Sequence, residues 1–190
     1  MNVIIGDDGH SRCAWVGTDE QLIDYHDNEW GHIAREETRL FEKVCLEGFQ
    51  AGLSWRTVLH KRDRFRHVYD GFDPQIIATY TNDDIDARAS DPKLIRQRAK
   101  HAAVVTNARS YLKLHDAGGT LNQIVFASHD KTRPRPVNLN DVAASTLASV
   151  QLAKTLKKHG FVFVGPVTMY ALMQACGVVN DHVMACTTSV

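Results

Sequence analysis

Position 47 is a glutamate inside the stretch CLEGFQAGLSW, Cys45 to Trp55, whose Cys45, Leu46, Phe49 and Ala51 otherwise read as the apolar stripe of a buried helix. A carboxylate in such a run is a candidate for holding a cation or accepting from a polar ligand. Aromatic rings collect in the same part of the chain: Trp15, Tyr25, Trp30 and Trp55, with all three tryptophans in the first 55 residues. Together with Glu47 they would line a flat pocket that stacks a nucleobase. The plainer reading is that the rings are core, and for Trp30 it is the one adopted.

A second group has ligand chemistry. The stretch DHVMAC sets His182 and Cys186 four residues apart, one turn on one face of a helix. Cys13 and His26 are the obvious partners near the other end. Two cysteines and two histidines make a closed tetrahedral zinc site with no position open to substrate. Its physical task would be to staple the N-terminal arm to the C-terminal segment. A lone His-x3-Cys is more often simply packed, and the 155 residues between His26 and His182 are not a diagnostic spacing. The other cysteines are Cys45 and Cys176; four in a chain with no secretory signal suggest metal or burial more than disulfides.

A third group is LKKHGFVFVGPVTMYALMQ, Leu156 to Gln174. One helix ends at Gly160, a tight apolar turn follows, and Gly165-Pro166 starts another. The pattern resembles the helix-hairpin-helix element of DNA-binding proteins, whose second helix offers backbone N–H groups to a phosphate. Lys157, Lys158 and Thr168 flank it suitably. An ordinary tight corner between helices explains it comparably well, since Gly-Pro at a helix start is common.

The elements that must position these groups are helical. TDEQLIDYHDNEW has a Thr/Asp start, and ETRLFEKVCLEGFQAG continues as an amphipathic helix that ends near Gly52. Ser54 caps WRTVLHKRDRFRHVY, FDP opens a short helix with Ile76 and Ile77, and Asp91-Pro92 opens a long one that Gly118-Gly119 stops. TLNQIVFAS is another short helix. HDKTRPRPVNLNDVAAS is the clear loop, and TLASVQLAKTLKKHG and PVTMYALMQACG are the last helices. FVFV at 161–164 is the only strand candidate. The expectation is an all-α fold, with residues 12–190 as a single domain and no obvious linker.

The 190 residues suffice for one sizeable core, with 44% hydrophobic residues and zero formal net charge. The charge is uneven: residues 1–50 carry 4 Lys/Arg against 11 Asp/Glu, and residues 51–190 carry 18 against 11. A local basic face is therefore permitted, although charged helix faces are ordinary. No apolar run is long enough to span a bilayer and MNVIIGDDGH lacks the features of a signal peptide, so a cytoplasmic protein is expected.

Taken together, RCAWV (12–16), YHDNEWG (25–31), LFEKVCLEGFQAGLSW (40–55), GFVFVG (160–165) and MQACGVVNDHVMAC (173–186) resemble the 3-methyladenine DNA glycosylase I family, over nearly the whole chain. Residues 1–11 precede the usual start and are treated as a short extension; 129–141 lies outside the resemblance. Phe49 stands where some relatives carry a polar residue. The resemblance implies a helix-hairpin-helix glycosylase fold with one structural zinc on Cys13, His26, His182 and Cys186. It implies a base pocket of Glu47, Tyr25, Trp15 and Trp55, with Glu47 and Tyr25 as the catalytic candidates. Gly160, Gly165 and Thr168 become the phosphate anchor, and Gly52 with Leu53 the plug for the space left by a flipped base. The implied partner is double-stranded alkylated DNA, with free 3-methyladenine as product, no membrane, and a monomer. Bifunctional relatives carry a lysine nucleophile in the hairpin; Val167 occupies the comparable position, so a monofunctional enzyme is expected. Asp181 is either a support for His182 or a stabiliser of sugar charge. Two rivals are a non-enzymatic DNA-binding module, which needs no buried carboxylate, and a zinc hydrolase, which needs an open coordination site.

Overall fold

In the computed structural model, residues 2–129 and 133–188 are described. Ten α-helices form among them. α1 (Glu20–Asn28) starts at Asp19, whose carboxylate accepts from the backbone of Gln21 and Leu22. α2 (Glu37–Gln50) is the central helix, and every residue from Leu40 to Phe49 is buried. Gly52, with φ of 78°, turns the chain out of it.

Ser54 caps α3 (Trp55–Leu59), as expected, but the expected single helix over 55–69 is two. α4 (Arg62–Val68) follows after a break at His60 and Lys61. α5 (Pro74–Ile77) is the short helix capped by Asp73. α6 (Asn82–Ser90) has no counterpart in the sequence reading: only Ile85 is buried, so it carries almost no apolar stripe, and a Thr81/Asp84 capping box sets its start.

α7 (Arg98–Asp116) begins six residues later than Asp91-Pro92 suggests. The Ile95 carbonyl meets the His101 side chain at 2.7 Å instead of a helical N–H, and Gln97 is extended. α8 (Leu121–Val125), α9 (Leu147–Lys158) and α10 (Pro166–Ala175) complete the set. α10 packs on α9 and α2, while α5, α6 and α2 pack on α7, around one main apolar core.

Two corrections concern strands. FVFV is not a strand; it forms the turn between α9 and α10. The strands are instead β1 (Val3–Ile5) and β2 (Ser11–Cys13), an antiparallel pair in which Val3 faces Cys13. The fold is thus mostly helical with one small hairpin. Residues 3–5 of the expected extension brace the segment that carries Cys13.

No helix among the described residues is long and apolar enough to cross a membrane.

Candidate functional site: an aromatic pocket and a buried Cys2His2 centre

Cys13, His26, His182 and Cys186 are all buried, and their ligand atoms lie within 4.8 Å of one another. The sulfur of Cys186 is 3.6 Å from His26 Nε2 and 3.5 Å from His182 Nδ1, and Cys13 Sγ is 3.9 Å from the latter. A tetrahedral zinc with Zn–S of about 2.3 Å and Zn–N of about 2.0–2.1 Å sets its ligand atoms roughly 3.3–3.8 Å apart. The far ring nitrogens are anchored by acceptors: His26 Nδ1 donates to Asp27 Oδ1 at 2.7 Å and His182 Nε2 to the Trp30 carbonyl at 3.0 Å. Those partners leave the lone pairs of His26 Nε2 and His182 Nδ1 facing the sulfurs. Arg12 in turn holds Asp27 at 2.8 Å. The donor set therefore fits a closed structural metal site.

His182 and Cys186 do not sit one turn apart on a helix as their spacing predicts, because 180–188 is not helical. The two meet through a turn in which Cys186 N donates to Val183 O. Arg135 holds that turn by donating to the carbonyls of His182, Val183 and Cys186 at 2.9, 2.6 and 2.8 Å. Asp181 partners Tyr170, Gln174 and Arg133 rather than the His182 ring, whose support comes from the Trp30 carbonyl.

Beside this centre lies a cavity of about 390 Å³. Trp15, Tyr25, Glu47 and Trp55 line it, so all four residues expected in a base pocket share one wall system. Tyr25 and Trp55 pack at a 44° tilt with 5.1 Å between centroids. Trp15 meets Trp30 edge-on at 5.1 Å. Trp30 lines the cavity as well as packing on His26 and His182, so its role is wider than the packing expected of it.

Glu47 is 3% exposed and its Oε2 has no hydrogen-bond partner. Burial pushes its carboxyl up to about 8, against a smaller downward pull from Lys43. Tyr25 is raised well above the phenol range, first by burial and then by Glu47. The indole Nε1 of Trp55 is another buried polar atom without a partner. Aromatic walls and an unmet acceptor suit a flat, positively polarised ring bearing a donor.

Several lining residues are not among those the sequence placed in the pocket, although Asp181 was considered for another role. Gln50 stands one turn after Glu47 on α2, and that spacing is the signal that could have found it. Gln174 and Asp181 close the far side: Tyr170 and Gln174 donate to Asp181 Oδ2 at 2.7 and 2.8 Å. Arg133 lies 3.0 Å from Asp181 Oδ1, an ion pair not aligned as a hydrogen bond, so Oδ1 remains without a partner. Leu139 comes from the stretch 129–141 left outside the resemblance and Val142 directly follows it, and nothing in the loop's composition marks them.

The residues expected to touch DNA do not line the cavity. Gly52 and Leu53 are exposed on the turn after α2, Leu53 by 42%. Gly160 is exposed at the end of α9 with φ of 90°. Gly165 and Thr168 are half-buried at the start of α10, where no side chain caps the first-turn N–H groups.

The chain matches the family described as methyladenine glycosylase over residues 15–189. It is 45% identical to DNA-3-methyladenine glycosylase 1 of Escherichia coli (strain K12) over 177 residues, 92% of this chain and 95% of that relative. The DNA-3-methyladenine glycosylase of Haemophilus influenzae is 46% identical, over 93% of this chain and 96% of its own. A crystal structure of a 3-methyladenine DNA glycosylase I superposes with a TM-score of 0.91 at 42% identity, covering 94% of this chain and 100% of that one. The Staphylococcus aureus enzyme, solved to explain 3-methyladenine recognition, gives 0.88 at 31% identity, over 94% and 96%. With the aromatic cavity, its buried glutamate and the Cys2His2 staple on one scaffold, and likeness running nearly end to end, this chain belongs to the methyladenine glycosylase family.

Proposed function

We propose that this protein excises 3-methyladenine from alkylated double-stranded DNA by hydrolysing the N-glycosidic bond, leaving an abasic site. The observation that carries the reading is Glu47: a buried carboxyl with an unmet oxygen, in a cavity walled by Trp15, Tyr25 and Trp55.

An adenine alkylated at N3 is cationic in the nucleoside, so its glycosidic bond is already weak and the base departs neutral. No strong acid is needed. The protein must extract the base, hold it and tolerate positive charge on the sugar. Extraction costs a few kcal/mol, least for a damaged base. Stacking on aromatic rings returns about 1–3 kcal/mol per base. Glu47 accepts from the exocyclic amine and is drawn into its ionised form by the cationic ring, an attraction that is stronger because the site excludes water. A normal adenine offers the amine without the charge and leaves a buried carboxyl to ionise unaided. Tyr25 stays protonated, held so by burial, and presents a ring and a neutral hydroxyl.

Outside the pocket, Leu53 on the Gly52 turn fills the space vacated by the base. Gly160, Gly165 and Thr168 with the first-turn N–H groups of α10 hold a phosphate, and Lys157 and Lys158 are exposed beside them. One zinc ion on Cys13, His26, His182 and Cys186 supplies structural closure of the two chain ends and no chemistry on the base. Val167 in place of a lysine supports a monofunctional enzyme with no covalent DNA intermediate.

The test is release of base from duplex DNA treated with a methylating agent. The expected product is free 3-methyladenine, and Glu47→Gln should slow its release and weaken binding of the free base. Undiminished base binding in Glu47→Gln and Glu47→Ala would remove the pocket assignment.

A further inference from the structure

We infer that Lys100 and Asn107 of α7 are positioning residues that lock the two DNA-facing loops, 51–54 and 160–165, into one register. The inference rests on the assignment of those loops to DNA made above.

Both side chains are buried, at 4% and 3% exposure, on a helix face that otherwise carries core residues such as Val104, Ala108 and Tyr111. Lys100 has no carboxylate partner among the described residues. Its Nζ donates to the carbonyls of Phe49 at 2.7 Å and Ala51 at 2.5 Å, at the C-terminal end of α2. A cation there meets carbonyls that no helical N–H satisfies and the negative end of the helix dipole. The next residue, Gly52, turns the chain and presents Leu53.

Seven residues on, two turns along the same face, Asn107 holds Val162 from both sides. Its Nδ2 donates to Val162 O at 3.2 Å, and its Oδ1 accepts from Val162 N at 2.8 Å. One turn further, α7 approaches the hairpin so closely that a Cβ on Gly160 would stand 2.8 Å from Ser110 Oγ. The two clamps are separated by about 10.5 Å of rigid helix, from seven residues at 1.5 Å each. The hairpin also touches the helix that leads into the first loop. Phe163, with φ of 57°, lies against Gly48 of α2. A non-glycine residue keeps a left-handed backbone only where its surroundings over-determine it.

Apolar residues at 100 and 107 would fill this core at less desolvation cost. The polar pair instead fixes how far the plug after α2 stands from the phosphate anchor before α10. That distance decides whether the plug enters the stack at the nucleotide whose phosphate is held. Misplacement of a reacting group by 1 Å can cost about 100-fold in rate.

The experiment compares wild type with Lys100→Met, Asn107→Ala and the double variant. Three quantities are measured: thermal melting, affinity for free 3-methyladenine by tryptophan fluorescence, and single-turnover excision from methylated duplex. Each single variant is expected to bind the free base within about twofold of wild type and to lose at least about tenfold in excision. Since the register is one coordinate, the double variant should fall about as far as the worse single variant rather than to the product of the two losses. Unchanged excision, parallel loss of free-base affinity, or a multiplicative double variant each overturn the inference. Should Lys100→Met fail to fold, Lys100→Arg and Asn107→Gln, which keep donors at altered reach, carry the same comparison. A wild type that releases no base from methylated DNA refutes the function itself, whereas an active wild type with unaffected variants refutes only the register.

Discussion

Replacing Glu47 by Gln should stabilise the ligand-free protein, and the gain should grow with pH. Burial raises the Glu47 carboxyl from 4.5 to about 8 in the folded chain. Between those values the native state keeps a proton that the unfolded state has released. Stability therefore falls as pH rises through this window, by about 1.4 kcal/mol per unit. Integration with these two values gives a cost of roughly 1 kcal/mol at pH 5, roughly 3 kcal/mol at pH 7, and a plateau of about 5 kcal/mol above pH 8. Glutamine has nearly the same shape and no charge to lose, so it escapes that cost. Urea unfolding of both proteins at pH 5 and pH 7 measures it: the advantage of Glu47→Gln should widen by about 2 kcal/mol between the two. An advantage that does not change with pH, or a variant less stable than wild type at pH 7, refutes the argument that Glu47 is held neutral by burial. The gain comes with slower excision, since glutamine cannot be drawn into an ionised form by the cationic nucleoside as the buried carboxyl is.

Three further outcomes are expected. Elemental analysis of protein purified without chelator should find one zinc per chain, and His182→Ala or Cys186→Ser should lower the melting temperature far more than it alters free-base affinity, because the ligands join β2 and α1 to the C-terminal turn. Leu53→Ala removes a side chain that is 42% exposed, so stability should change by no more than about 0.5 kcal/mol while excision from duplex DNA slows and free-base affinity holds. Borohydride added during turnover should trap no covalent adduct with DNA, as Val167 offers no amine; a trapped adduct removes the monofunctional assignment.

What could be read from the chain was what neighbouring residues decide. Asp19, Ser54 and Asp73 announce helix starts because a capping oxygen acts within three residues, and the structure shows each one capping. Glu47, Tyr25, Trp15 and Trp55 were recognisable as a set, and they do share one cavity. Cys13, His26, His182 and Cys186 do meet in one buried cluster, though the helical spacing offered for His182 and Cys186 was not the reason they meet.

The remainder depends on groups far apart in sequence. The turn that joins His182 to Cys186 is held by Arg135, roughly fifty residues away, and the imidazoles are aimed by Asp27 and the Trp30 carbonyl. β1 forms because β2 is there to pair with it, and α7 starts late because His101 takes the Ile95 carbonyl. Sequence by itself determined the residue types, the helical periods and the caps, since those energies act within a turn or two of chain. Tertiary structure decided that Glu47 holds its proton near neutral pH, that Asp181 faces the cavity, and that Lys100 and Asn107 reach two loops. A carboxyl's ionisation depends on the water removed by every neighbour, and a side chain's partner depends on which carbonyls folding leaves free.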